Sequence, residues 1–320
     1  MWKQRALTLK GKITIINSLA LSQIMYVSNI LYVPADVIKE VNQLIFSFLW
    51  PKKAHVKKST IIGLYEEGGL KMPDFEYKVQ AGKIMWIKRL LMNEKLRVLA
   101  ESFGLPLPLP TMVKLNFDMQ YLPNYPSCFY REVFNCWYNL RSSNCNSSND
   151  VMKQIIWFNK NLLVESRPIY IEKLYNKSVK YVNDLLDENG NFLTINALNH
   201  LYNVNIRIMQ YNSLLSSIPK EWKRLLRQAK KIDNIEENIV VKLNMITKSI
   251  FEIETRDVYW ELIGRVCQRP SAAAKWEEIY DLIHFDWENI FCIPFHVARE
   301  SSLQSFQYKI VDFEYGSSVV

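Results

Sequence analysis

The residues best able to do chemistry in this sequence are its cations, and the chemistry they can do is to hold phosphate. Thr8 stands just before an apolar-periodic stretch that opens at Leu9, where its hydroxyl can cap a helix. Lys10, Gly11 and Lys12 then occupy the first turn. Backbone N–H groups and the positive end of a helix favour an anion there, and glycine at position 11 lets a strand approach closely. Lys52, Lys53, Lys57 and Lys58 flank a polar connection after Trp50 and add point charges. Lys78 is followed about three helical turns later by Lys88 and Arg89, and Arg5 precedes the cap. Contacts from such residues are sequence-independent and weaken as salt rises. The same residues also suit an ordinary lysine-rich surface, and both readings stand at this level.

Other chemistries lack their residues. A polymerase holds two metal ions on clustered carboxylates, and no Asp-Asp dipeptide occurs in the chain. There is no P-loop, G-x-G-x-x-G, H-E-x-x-H or G-x-S-x-G pattern. The acidic pairs Glu66-Glu67, Asp187-Glu188, Glu236-Glu237 and Glu277-Glu278 read as solvated turns or helix faces. The five cysteines have no C-x-x-C spacing and the four histidines are dispersed, which speaks against zinc and for free thiols in a reducing compartment. The expectation is therefore a protein without enzymatic activity, metal or cofactor, located inside the cell in nucleus or cytoplasm.

Charge points to where a partner would sit. The 320 residues carry 40 Lys and Arg against 32 Asp and Glu. Residues 1–100 hold 16 of those cations against 7 acids, whereas residues 101–320 are close to balance at 24 against 25. The basic excess lies in the first third, which fits a polyanionic partner. Residues 13–35 carry no charge and are long enough to span a bilayer. Asn17, Ser18, Ser22, Gln23, Ser28 and Asn29 place polar groups all along that stretch, so a helix buried in a soluble bundle is the better account and no membrane is expected. The N-terminus lacks the cleavage pattern of a signal peptide.

The elements that must position these residues are mostly helical. The pattern predicts a helix from Leu9 to about Tyr32, a second over 35–49 ended by Pro51, a turn at Glu66-Glu67-Gly68-Gly69, and a long helix from the Asp74 cap to about Leu99. The proline run GLPLPLP (104–110) reads as extended backbone and as a domain boundary. Phe129, Val133, Cys136, Trp137 and Leu140 fit one face of a short helix, and SSNCNSSND (142–150) reads as a polar loop. DENGNF (187–192) can close a small hairpin. Further helical patterns cover about 194–202, 205–217, 220–231, 236–250, 255–267 and 271–283. The predicted class is mainly α: a helical thumb-like bundle over 1–103, a Pro-rich and polar connecting region over 104–150, and a second helical region over 151–320 with one or two small hairpins.

An ordered series of motifs resembles the thumb and C-terminal region of LINE-type (non-LTR) retrotransposon reverse transcriptases. Its first part is Trp2, Arg5, Leu7, Thr8, Gly11, Lys12, Tyr32 and Pro34. The series continues through Phe48, Trp50, Lys52, Lys53, Lys57, Lys58, Gly68, Gly69, Leu70, Pro73 and Asp74. RPIYIEKLYNKSVKYVNDLLDENGNFLT (167–194), IPKEWK (218–223), WENIFCIPF (287–295) and LQSFQYKIV (303–311) resemble later elements of the same family. The resemblance implies that the polymerase palm, the upstream endonuclease and the terminal Cys/His knuckle are missing, so that both ends look cut. It implies thumb helices that grip a template–primer duplex without catalysing anything. The expected partner is RNA or an RNA–DNA duplex, bound through Arg5, Lys10, Gly11, Lys12, Lys52, Lys53, Lys57, Lys58, Lys78, Lys88 and Arg89. The alternatives are a helical protein-interaction scaffold with no nucleic-acid role, motivated by the near-neutral, aromatic-rich remainder, and a decayed element with no function.

Overall fold

The computed structural model describes residues 7–50, 56–102, 104–121, 127–141, 145–227, 229–235, 238–243, 246–280 and 286–312. The protein is mainly α, with two small two-stranded antiparallel sheets among those residues. It divides into two compact units, Met1–Met85 with Glu254–Val320, and Trp86–Ile253. These units do not follow the 1–103, 104–150 and 151–320 boundaries drawn from composition. Composition marks where a chain is polar or proline-rich, whereas a unit is set by which helices pack together.

In the first unit, the helix Leu9–Ile30 starts where Thr8 caps it. Leu9, Ile13, Ile16 and Leu21 face a core shared with Ile45, Leu49, Ile61, Met72, Phe75 and Val79. The helix widens to π geometry over Ile16–Leu21. Around that segment the hydroxyls of Thr14, Ser18 and Ser22 each donate to the carbonyl four residues before, at 3.0, 2.7 and 2.7 Å, so these polar groups find their partners inside the helix itself. The expectation of a buried helix is corrected here: only 22% of its most apolar 18-residue window is buried, and Leu19, Tyr26, Val27 and Ile30 face solvent.

The helix Ala35–Leu49 follows Pro34 and turns Ile45 and Leu49 inward. After Lys58–Ile61 and the tight turn Tyr65–Glu67, Gly68 adopts a left-handed φ of 82°. Gly69 lies so close to the Gly63 carbonyl that a Cβ there would approach its oxygen to 2.2 Å. Both glycines serve turn geometry. The helix Phe75–Met92 begins at Asp74, as expected, but stops at Met92 rather than near Leu99. Asn93 breaks it by capping the next helix, Glu94–Ser102, through Leu96 N–H at 3.2 Å; from Trp86 onward this part of the chain belongs to the second unit. The remaining helices of this unit are Thr255–Gly264, Ser271–Tyr280, Trp287–Val297 and Ser301–Asp312. The last two were not apparent in the sequence pattern. They are held by contacts distant in sequence: Phe295 stacks on Tyr65 at 4.0 Å, and the Tyr308 hydroxyl donates to the Gly68 carbonyl at 3.1 Å.

In the second unit the proline run is packed rather than a bare linker. Leu107 and Leu109 are buried, and Pro110 sits in the first turn of the helix Leu109–Lys114, where its missing N–H costs nothing. The helix Cys128–Leu140 buries Val133, Phe134, Trp137 and Leu140. Trp137 and Tyr138 donate to the carbonyls of Val113 and Met112, each at 2.8 Å. The stretch read as a polar loop contains the short helix Ser148–Met152, capped by Ser147 and anchored by buried Val151 and Met152. DENGNF forms a turn with a single bridge, Leu186 to Phe192, rather than a stranded hairpin. The stranded hairpins are Leu163–Val164 with Arg167–Pro168 and Val240–Leu243 with Ile246–Ser249. The second replaces the helix expected over 236–250. Its β-branched Val240, Val241 and Ile246 and its period-two burial, with Val241 and Leu243 inside and Val240 and Lys242 outside, decide for strand. The unit also holds the helices Glu172–Tyr175, Ile195–Tyr202, Ile208–Ser217 and Lys220–Leu226.

Candidate nucleic-acid interface

The Thr8 cap is formed: its hydroxyl oxygen accepts from Gly11 N–H at 3.2 Å. One of the N–H groups expected to face an anion is thereby satisfied within the chain. The neighbour nearest to Gly11 is that same hydroxyl, 3.3 Å from where a Cβ would stand, so glycine here makes room for the cap. Lys10 is exposed, and its ammonium donates to Gln304 Oε1 at 3.1 Å. Lys12 turns inward and donates to the Leu49 carbonyl at 3.0 Å, with its ammonium 6.0 Å from the Phe48 ring. Burial, and secondarily the charge of Lys309, push its pKa down.

The lysines after Trp50 divide. Arg5, Lys52 and Lys53 lie outside the described residues, as does His55. Lys57 is exposed at the start of the Lys58–Ile61 helix. Lys58 is paired with Asp74 at 2.6 Å. Asp74 is almost fully buried and is a hub: its carboxylate accepts from Asn42 Nδ2 at 3.1 Å and from Glu76 N–H at 2.9 Å. Asn42 in turn accepts from Phe75 N–H at 2.9 Å, and the Tyr259 hydroxyl accepts from Asp74 N–H at 3.2 Å. A lysine on that hub holds structure together. Lys78 stands 5.5 Å over the Tyr259 ring, and burial pushes its pKa down. Lys83, not singled out in the sequence, is wholly buried and donates to the Leu31 carbonyl.

An open groove of about 680 Å³ runs along one face of the Ala35–Leu49 helix, with Phe46 and Trp50 as apolar walls and Lys39, Lys58 and Glu76 among its charged groups. Lys58 is neutralised by Asp74, and Lys39 and Glu76 carry opposite charges, so the groove offers no excess of either sign.

Two expected residues belong to the second unit. Lys88 donates to the Ile253 carbonyl at 3.0 Å. Arg89 is exposed, with its guanidinium 5.0 Å from the Trp86 ring. The structure therefore places Lys10, Lys57 and Arg89 at the surface and turns Lys12, Lys58, Lys78 and Lys88 towards partners of their own. Among the described residues no group of three or more His, Cys, Asp or Glu is placed to hold a metal ion. One helix there, Leu9–Ile30, is long and apolar enough to cross a membrane by length and composition.

No family model and no curated protein matches the chain.

The hub around Asp74 escaped sequence reasoning in part. An aspartate before a helix signals a cap, but nothing local signals that Lys58, Asn42 and Tyr259 converge on it from 16, 32 and 185 residues away.

Proposed function

We propose that this chain is a non-catalytic remnant of a LINE-type reverse transcriptase that binds the backbone of RNA or an RNA–DNA duplex through its basic first hundred residues. The observation that carries the reading is the excess of cations in residues 1–100, which follow the family's motif order. Of the residues expected to contact the backbone, Lys10 and Lys57 are exposed in the first unit and Arg89 in the second, and Lys39 and Lys95 are further exposed cations of the first hundred residues. No Asp-Asp pair stands in the sequence to hold catalytic metals, so the activity proposed is grip without chemistry.

A salt titration tests it. Binding of an RNA–DNA duplex should weaken steeply with salt, and Lys10→Ala with Lys57→Ala should lower the slope of log K against log salt by about two. No binding at about 50 mM salt, or an affinity indifferent to salt, would overturn the reading.

A protein-interaction role is the second reading, favoured by the exposed apolar side chains of Leu19, Tyr26, Val27 and Ile30 on one helix. A stable complex with a protein partner that survives Lys10→Ala and Lys57→Ala and fails with Tyr26→Ser and Ile30→Ser would support it over the first.

A further inference from the structure

A set of four cations with no ion pair among the described residues lies in the second unit, outside the site already described, on the helix Lys220–Leu226 and its C-cap Arg227. Lys220, Arg224 and Arg227 are exposed and Lys223 is half-buried. Among the described residues no carboxylate lies within ion-pair distance of any of the four. At 3.6 residues per turn, positions 220, 223, 224 and 227 fall within an arc of about 100°. Trp222 and Leu226, 6% and 1% exposed, point the other way and anchor the helix. Glu221 is the helix's one acid and stands at the flank of the stripe.

The helix is held firmly in this orientation. Ser148–Met152 packs against it. Beyond its end, Asn183 brackets Ile232, donating to its carbonyl at 2.9 Å and accepting from its N–H at 3.0 Å, and Lys231 donates to the Leu186 carbonyl at 3.1 Å. Neither acid of the adjacent 187–191 turn is ion-paired with the stripe: Asp187 accepts the N–H groups of Asn189 and Asn191, at 2.9 and 2.8 Å, and Glu188 faces solvent.

Helix stability does not explain this arrangement. Cations near the C-terminal end complement the macrodipole, but Lys220 occupies the first turn, where a positive charge is unfavourable. Lys220 with Arg224 and Lys223 with Arg227 are like-charge pairs four residues apart, which repel. A polyanion laid along the stripe relieves both penalties. A bilayer does not fit, because a membrane-surface helix needs its apolar face free, and here that face is buried. The cations repeat every 5–6 Å or so along one side, and two are guanidinium groups that can take phosphate oxygens two at a time.

We propose that the Lys220–Arg227 stripe is a second nucleic-acid site, binding the phosphodiester backbone without regard to sequence. It does not depend on the grip by Lys10 and Lys57. The experiment uses the full chain and a short fluorescein-labelled RNA of mixed sequence, followed by anisotropy across a salt series. Lys220→Ala, Arg224→Ala and Arg227→Ala together should lower the slope of log K against log salt by about two and weaken binding about tenfold near 0.1 M salt, with circular dichroism unchanged. Glu221→Lys should raise the slope by about one, which keeps the test decisive if the triple variant fails to fold. A wild-type slope in both variants would overturn the proposal. So would a triple variant that loses binding to poly-glutamate or anionic vesicles while keeping its affinity for RNA. Loss of RNA binding in the Lys10/Lys57 variant alone would leave the first reading standing and remove this one, and the converse result would do the opposite.

Discussion

The lysines of the first unit and those of the Lys220–Leu226 helix have the same side chain and opposite fates. In the first unit Lys12 reaches the Leu49 carbonyl, Lys58 the Asp74 carboxylate, Lys78 the Tyr259 ring and Lys83 the Leu31 carbonyl. On the Lys220–Leu226 helix, Lys220 and Arg224 face solvent, Lys223 is half-buried, and none has an ion-pair partner among the described residues. A long aliphatic stem lets an ammonium lie along apolar surface and still find an acceptor. A region dense in lysine can therefore be poor in available charge, whereas a near-neutral region can carry a concentrated one. Balance over residues 101–320 concealed six cations against one acid within 220–231.

The largest effect expected from breaking this comparison is at Asp74. Asp74→Ala removes a cap, strands Asn42 and leaves Lys58 without its partner, and should cost about 3 kcal/mol or more in urea unfolding at neutral pH. A near-neutral result would return Lys58 to the list of available cations. Gly190→Ala comes next. Its φ is 80°, and a Cβ would stand 1.9 Å from the Ala229 carbonyl oxygen just beyond the basic helix. A loss of about 2 kcal/mol in thermal unfolding is expected, and an unchanged melting temperature would show that the turn does not brace that end.

Removing the stripe should act on binding and not on folding. Lys220→Ala, Arg224→Ala and Arg227→Ala together should leave stability unchanged or raise it by a few tenths of a kcal/mol at low salt, since two repelling pairs disappear. A loss above about 1 kcal/mol would mean that these residues have structural partners after all.

The last test is a pH dependence. Burial, and then the neighbouring Glu67 carboxylate, push the Cys267 thiol up to about 12 from its ordinary value near 9. The folded protein keeps a proton that the unfolded chain releases first. This group's contribution is therefore whole below pH 9 and is lost as pH rises towards 12. The urea midpoint of the wild type should fall more steeply over that window than that of Cys267→Ala, and parallel curves would contradict the assignment.

Much of the local structure was legible in the residues. Thr8, Asp74 and Thr194 signal helix starts because each side chain caps N–H groups two or three residues ahead. The apolar face of 128–140 is a matter of periodicity. The helix expected over 236–250 failed because a short apolar run suits either period, and pairing with the opposite strand settled it. The division into units was not legible, since it depends on Trp287–Val297 and Ser301–Asp312 packing with elements near the start of the chain.

What the sequence by itself determined is the mainly helical class, most helix starts and the inventory of charge. These rest on interactions spanning a few residues or on composition alone. Which of those charges meet solvent was decided only by the tertiary structure. Lys12 finds the Leu49 carbonyl across 37 residues, Lys58 finds Asp74, and Lys220 and Arg224 find nothing among the described residues. A lysine's partner is set by whatever the fold brings within reach of its stem, and no local pattern encodes that.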